Sequence, residues 1–196
     1  MCRFKSMIFL KDRVFIPDYD SHQDMLEELK IEDNQKNAER VFVRVELSPE
    51  DGDVFSDIST WKFKADQDIL PKWYVEEVDK KRAVEAVTEW AKEHIFIEQD
   101  NLTLKEGGTY YIKDCKNVEA WGSATVKACG SATVRAWDSA TVEACDSATV
   151  YNSLYIPWRN KDTIILADNA TFKDNDTKTI YQSGNWKLVI VESEKK

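Results

Sequence analysis

Four consecutive octapeptides share the core Ser-Ala-Thr-Val, and this repeat restricts the possible folds more than any other feature of the chain. They read GSATVKAC, GSATVRAW, DSATVEAC and DSATVYNS and cover residues 122–153. Helical repeat units need about 20 residues or more, whereas an octapeptide suits one short strand and a corner. The segment is therefore predicted to be a series of short strands separated by turns at Gly-Ser or Asp-Ser.

The pattern inside one octapeptide separates two ways of arranging these strands. Alternation places Ala124, Val126 and Ala128 on one face. In an antiparallel meander with two-residue turns, Lys127 would lie opposite Val134, and charged and apolar side chains would share a face. In a parallel solenoid, equivalent residues stack on each other and one face stays apolar. The pattern favours the solenoid.

The eighth position of the octapeptide indicates how many octapeptides make one coil. Trp121 and Trp137 are separated by two octapeptides, and so are Cys129 and Cys145. A coil of two octapeptides stacks Trp on Trp and Cys on Cys, on opposite sides, with rungs ~4.8 Å apart. That spacing permits a Cys129–Cys145 disulfide, but we expect a reduced ladder of small side chains.

Charges at the sixth position favour the same period. At a spacing of two octapeptides Glu119 lies beside Arg135, whereas at a spacing of three it would lie beside Glu143. Like charges in register destabilise a sheet. The predicted fold is an α+β N-terminal module followed by a two-sided parallel β-solenoid with about 16 residues per coil.

Degenerate copies of the octapeptide define the domain limits. Copies that begin at Glu98, Glu106 and Asp114 precede the repeat, and the phase resumes over 168–191 after an insertion near 154–167. The expected domains are an α+β module (1–97), the solenoid (98–191) and a tail (192–196). Within the module, the hydrophobic pattern predicts a hairpin (2–10 and 14–16), helices (22–30 and 75–93), a loop (32–38) and strands (41–47 and 61–64).

Composition and charge exclude several classes of protein. The chain of 196 residues has a net charge of −9, which argues against direct binding to nucleic acid or acidic lipid, because both need a basic face. The opening residues lack the apolar stretch of a signal peptide, and no segment approaches the ~20 apolar residues of a spanning helix. We expect a cytoplasmic protein that does not bind membranes.

The cysteines and histidines give no recognisable metal motif. The four cysteines contain no Cys-x-x-Cys pair, and the two histidines lie far from them in sequence. A structural zinc site is therefore not predicted. We expect reduced thiols, no metal and no cofactor.

The tryptophans form the candidate partner-binding surface. Alternation places Trp121 and Trp137 outward, one rung apart, and stacked exposed tryptophans are typical of contact sites. Arg135 lies two residues before Trp137, Tyr151 lies one coil further on, and Trp158 lies in the insertion. The alternative is that the N-terminal module or the insertion covers the two tryptophans, which would then fix the relative position of the two halves.

A second hypothesis places an active site in the N-terminal module. If Met1 is removed, Cys2 becomes an N-terminal nucleophile whose amine can serve as its base. His22, with Asp18 or Asp20, could orient or activate the thiolate. The alternative is that Cys2 is a half-buried strand residue and His22 only begins a helix.

The repeats Ser123–Val126 to Ser147–Val150, the opening Met1–Phe4 and the segment Asp18–Leu29 resemble a group of uncharacterised bacterial and phage proteins. The resemblance implies a phage or mobile-element context and a variable number of repeats, but no activity. We therefore expect a non-enzymatic interaction or assembly protein that binds a protein partner or itself, such as a phage inhibitor of a host defence factor. The alternative is an enzyme or small-molecule binder that uses Cys2 and His22.

Overall fold

The computed structural model describes residues 4–105, 107–152, 164–174 and 179–183. The chain divides into two units, 1–95 and 96–196. Several expectations therefore lie outside the described residues: those on Cys2, on Trp158, on most of the insertion, on the final repeat at 184–191 and on the tail.

Alternating apolar residues in the first unit form a four-stranded antiparallel sheet. The strands are β1 (Lys5–Leu10), β2 (Val14–Phe15), β3 (Phe42–Ser48) and β4 (Lys62–Ala65), in the order β2-β1-β3-β4. A 3-10 turn at Ile58–Thr60 precedes β4.

Helices cover both faces of this sheet. Helix α1 (His22–Glu28) begins after Ser21, whose side chain accepts a hydrogen bond from the Asp24 amide, and packs Met25 and Leu26 on one face. Helix α3 (Glu76–His94) packs Ala83 and Val87 on the other.

Helix α1 stops two residues before the expected end, because Lys30 takes a positive φ of 55°. A loop was expected at 32–38, but residues Gln35–Ala38 form a short helix, α2. Asn34 begins this helix, since its side chain accepts a hydrogen bond of 2.9 Å from the Asn37 amide. Caps of this kind stabilise a single turn that hydrophobic periodicity does not reveal.

The second unit is a β-solenoid with about 16 residues per turn, as predicted. One sheet has the order β15-β14-β12-β10-β8-β6, and the other has the order β13-β11-β9-β7-β5. The strands are β5 (Ile95–Ile97), β6 (Thr103–Leu104), β7 (Gly108–Lys113), β8 (Val118–Ala120), β9 (Ala124–Cys129), β10 (Thr133–Ala136), β11 (Thr141–Ala144), β12 (Thr149–Asn152), β13 (Ile164–Leu166), β14 (Thr171–Asp174) and β15 (Thr179–Gln182).

The register of the strands follows the repeat. Val126 pairs with Val142, and Glu119 pairs with Arg135, each in a parallel pair of strands. The degenerate upstream copies obey the same rule, since Tyr110 pairs with Val126. The apolar positions of each octapeptide therefore point inward and form a narrow core of mainly Ala and Val side chains.

The corner between octapeptides explains why the first position is Gly or Asp. Gly122, Gly130, Asp138 and Asp146 have positive φ values of 63°, 65°, 53° and 54°, a region that Gly and Asp tolerate better than most residues. The Asp side chains also join neighbouring coils, because the Gly130 amide donates to Asp146 at 2.8 Å and the Gly122 amide donates to Asp138 at 3.3 Å.

The solenoid departs from the simple repeat near its C-terminal end. The corner residues Gly130 and Asp146 lie on neighbouring coils and are 16 residues apart. The next described corner, Asp168, lies 22 residues after Asp146. The copy at 168–175 then continues the coil through β14. The expectation that the copy at 176–183 continues the parallel coil is wrong, because β15 runs antiparallel to β14. Its residues follow the octapeptide pattern only loosely, and they reverse direction instead.

We expect Gly130→Ala to destabilise the solenoid more than Gly122→Ala. Both glycines have left-handed backbone, which costs alanine ~1 kcal/mol or more. At Gly130 an added Cβ would also lie 2.3 Å from Oδ1 of Asp114, whereas at Gly122 the nearest atom is 3.5 Å away. Asp114 cannot move freely, since Ser131 donates to it from its amide and its hydroxyl at 2.8 and 3.0 Å.

These two hydrogen bonds also hold the pKa of Asp114 below its usual value.

Urea unfolding of Gly130→Ala and Gly122→Ala measures the difference between their losses of stability. We expect Gly130→Ala to lose about 1 kcal/mol more, beyond the backbone cost that both variants share. Equal losses would show that Asp114 does not constrain this corner.

Candidate interaction face of the solenoid

Two stacked tryptophans lie on one side of the solenoid. The rings of Trp121 and Trp137 are 4.3 Å apart and nearly parallel, at 4°. Each follows directly on a strand of the six-stranded sheet, and the Trp137 amide donates to the carbonyl of Ala120 at 2.8 Å. Both side chains are half-buried, and neither Nε1 has a hydrogen-bond partner within the described ranges. The expected ladder of one Trp per coil is present.

Charged and aromatic side chains form a second column on the same sheet. Arg135 is exposed, and its Nη1 lies 3.8 Å from Oε1 of Glu119 on the preceding coil. Tyr151 follows on the next coil, where the ammonium of Lys173 lies 5.2 Å from the centre of its ring. The register places Arg135 directly beside Tyr151. The structure therefore brings together two of the predicted partner-binding residues.

A shallow groove of about 510 Å³ runs beside this column. One wall carries Glu119, Arg135 and Tyr151, and the other carries amide and hydroxyl groups at the fourth position of the octapeptide. There the backbone N–H of Asn117 donates to Oγ1 of Thr133 at 3.0 Å. The groove offers hydrogen-bond donors, acceptors and one guanidinium in a row, because successive coils contribute Glu119, Arg135 and Tyr151.

The fourth-position residues of the groove were not among the predicted site residues. Asn101, Asn117 and Thr133 recur once per coil, and Asn117 Nδ2 donates to Oδ1 of Asn101 at 3.3 Å. The sequence contains a signal for these residues, because in a coil of two octapeptides the residues that recur at that spacing lie side by side on neighbouring coils. Thr133 lies inside the regular repeat, whereas the two asparagines lie in degenerate copies.

The opposite sheet carries a different arrangement. Lys127 and Glu143 form an ion pair of 3.4 Å on neighbouring coils, as the spacing of two octapeptides predicts. The expected reduced ladder at Cys129 and Cys145 is wrong, because the structure joins them in a disulfide with a Cα–Cα distance of 4.9 Å. Parallel strands in register bring the two Cβ atoms close enough to bond. Cys115 is buried and free.

Among the residues proposed for an active site, the structure describes His22 and Asp18. His22 is buried, and its Nε2 lies 3.2 Å from the carbonyl of Val45. Asp18 pairs with His94, whose Nε2 lies 2.9 Å from Oδ1 of Asp18. His94 belongs to the last turn of α3, so only the tertiary fold reveals this pair. Cys2 lies outside the described residues.

Comparisons with known proteins found no match to the chain among family models, curated proteins or solved structures. In the described ranges no helix combines the length and the apolar character that a membrane crossing requires. Function must therefore be inferred from the geometry of the solenoid and of the N-terminal unit themselves.

Proposed function

We propose that the chain is a non-enzymatic interaction protein and that the outer face of its six-stranded sheet binds a protein partner. The two sheets would form the two walls of a rigid, two-sided parallel coil. The observation that carries the proposal is the Trp121–Trp137 stack beside the column of Glu119, Arg135 and Tyr151. Aromatic and Arg side chains are the types enriched in binding hot spots.

The charge of this face supports a protein partner rather than nucleic acid. Arg135 lies beside Glu119, so the column has no continuous run of positive charge, and the whole chain carries −9. A phosphate backbone requires several cations in a row. A mixed face with aromatic anchors and a polar groove is instead typical of protein interfaces. A host defence protein or a second copy of the chain is the partner that we propose.

The Trp stack provides the test of this proposal. We expect the double variant Trp121→Ala/Trp137→Ala to weaken the complex about thirtyfold or more, because hot-spot tryptophans contribute ~2 kcal/mol or more to binding. Light scattering after size-exclusion chromatography measures self-association. A photo-crosslinking residue in place of Arg135 captures a host protein, whose affinity is then measured with purified components.

The matched control lies on the opposite sheet. Lys127→Ala/Glu143→Ala removes an exposed ion pair of that face and should leave the complex intact. Far-UV circular dichroism checks that both double variants keep the coil. A complex that survives the loss of both tryptophans, or a wild-type chain that stays monomeric and cross-links to nothing, contradicts the proposal.

A further inference from the structure

Three potential metal ligands converge in the first unit, away from the solenoid. His22 begins α1, Glu46 lies in the middle of β3, and Asp66 directly follows β4. One ligand atom from each side chain lies within 4.8 Å of the other two. His22 is only 8% exposed, whereas the two carboxylates are half-buried. The three side chains therefore surround a position that water can reach.

The hydrogen bond of His22 decides which ring nitrogen can bind a cation. Nε2 lies 3.2 Å from the backbone carbonyl of Val45. A carbonyl can only accept, so Nε2 carries the hydrogen, and in the neutral ring Nδ1 presents its lone pair. Nδ1 lies 4.0 Å from Oδ2 of Asp66, too far for a hydrogen bond. Metal-binding histidines are commonly fixed in this way, with the second nitrogen donating to a backbone carbonyl.

Asp66 is oriented by a similar contact. Lys64 donates to its Oδ1, which leaves Oδ2 directed towards His22. The Asp66 amide donates to the carbonyl of Arg44 at 2.8 Å and fixes the backbone. The hydrogen bond from Lys64 holds the pKa of Asp66 below its usual value. A carboxylate held by a neighbouring donor is typical of metal ligands.

A buried hydroxyl at the same place is an independent observation. Ser6 is 0% exposed, and its Oγ has no hydrogen-bond partner in the described part of the chain. It pairs with Glu46 across β1 and β3, and residues in register share a face with Cβ atoms ~5 Å apart. An unsatisfied buried hydroxyl costs free energy unless it finds a partner. A water bound to a cation beside Glu46 would supply one.

We propose that His22, Glu46 and Asp66 bind one divalent cation of the zinc class. One imidazole nitrogen and two carboxylate oxygens suit Zn²⁺, whereas Mg²⁺ and Ca²⁺ prefer oxygen ligands alone. Bonds of ~2.1 Å at tetrahedral angles place ligand atoms about 3.4 Å apart. The two half-buried carboxylates reach that spacing by shifts of about 1 Å. Three protein ligands leave a fourth position for water, and the site amends the expectation that the chain binds no metal.

The chain has only two histidines, so nitrogen-15 NMR of the imidazoles reports on the site directly. Zn²⁺ added to the full chain should shift the Nδ1 resonance of His22 at one equivalent and leave His94 unchanged. Calorimetry should show that Glu46→Gln and Asp66→Asn each weaken Zn²⁺ binding about tenfold or more. The titration uses a Cys2→Ser background without reductant, so that the Cys129–Cys145 disulfide stays closed and only the buried Cys115 keeps a thiol.

Glu50→Gln is the matched control, since it removes an exposed carboxylate that pairs with Lys62 elsewhere in the unit. It should bind Zn²⁺ as tightly as the parent chain. Unchanged His94 resonances show that each variant is folded, and the titration of the parent chain is decisive even if a variant is not. Absence of binding, a shift at His94 in place of His22, or equal affinity in all variants would overturn the proposal.

Discussion

The variant Val126→Asp is expected to unfold the solenoid. Val126 is fully buried in the middle of β9, and it is in register with Tyr110 on one side and Val142 on the other. An aspartate there would place an unpaired carboxylate between layers of Ala and Val, which costs several kcal/mol. Losses above ~4 kcal/mol are a large part of the roughly 5–15 kcal/mol that stabilises a typical domain.

The effect should spread along the coil, because each rung is stabilised only by its neighbours. Far-UV circular dichroism should show loss of strand signal, while the helical signal of α1 and α3, which belong to a separate core, persists. Urea titration of Val126→Asp should then show one unfolding transition, that of the N-terminal unit, where we expect two for the parent chain.

The neighbouring residue is the matched control for this variant. Thr125 lies on the same strand, but it points outward and is half-buried. Thr125→Asp introduces the same charge at a position where water can solvate it, so the loss should stay near ~1 kcal/mol, the range of strand propensity. If both variants unfold the chain equally, strand propensity and not core burial limits the stability of the coil.

The solenoid could be predicted because its repeat enforces one register. A shift of one residue would move Lys127 into the core, and a spacing of three octapeptides would stack Glu119 on Glu143. Both alternatives cost free energy for reasons that are visible in the sequence. The same logic located Tyr110 at a Val position in a degenerate copy. Each coil contacts only its neighbours, so the contacts that define it are local and follow from the repeat.

The sequence does not predict the structure where the contacts of a segment depend on the tertiary fold and not on its local pattern. The copy at 176–183 matches the octapeptide in length, but β15 turns back against β14. The pairs Asp18–His94 and His22–Asp66 join segments that lie far apart in sequence. No periodicity predicts such contacts, since they depend on how α1 and α3 pack on opposite faces of one sheet. The candidate metal ligands therefore became visible only in the structure.

A second large effect is expected from Asp20→Asn in the first unit. Lys5 is 2% exposed, and its ammonium donates to Oδ1 of Asp20 at 3.1 Å and to the carbonyl of Pro17 at 2.6 Å. Asparagine keeps an acceptor oxygen but removes the charge that compensates the buried ammonium. Loss of one partner of a buried pair costs ~3–5 kcal/mol, and we expect about 2–3 kcal/mol here because the Asp20 side chain is 41% exposed.

The loss of stability caused by Asp20→Asn should depend on pH in a defined direction. Burial lowers the pKa of Lys5 below its usual 10.5, and the Asp20 charge only partly opposes this effect. Between the lowered pKa and 10.5 the unfolded chain binds more protons than the folded chain, so the free energy of unfolding rises with pH in this window. Without Asp20 the pKa falls further and the window widens towards neutral pH. The gap between Asp20→Asn and the parent chain should therefore shrink as the pH is raised towards the usual pKa of lysine.

The double variant Lys5→Met/Asp20→Asn completes a double-mutant cycle. It separates the effect of the Lys5 charge on stability from the effect of its packing. Methionine fills the same buried volume without a charge, so it removes the ion whose desolvation Asp20 offsets. Urea unfolding at neutral pH should show that Asp20→Asn costs far less in the Lys5→Met background, and that the pH dependence is gone. If Asp20→Asn is equally harmful in both backgrounds, the Asp20 charge acts on a group other than Lys5, such as the Ser6 amide that donates to it at 3.1 Å, and the ammonium of Lys5 tolerates burial without a counter-charge.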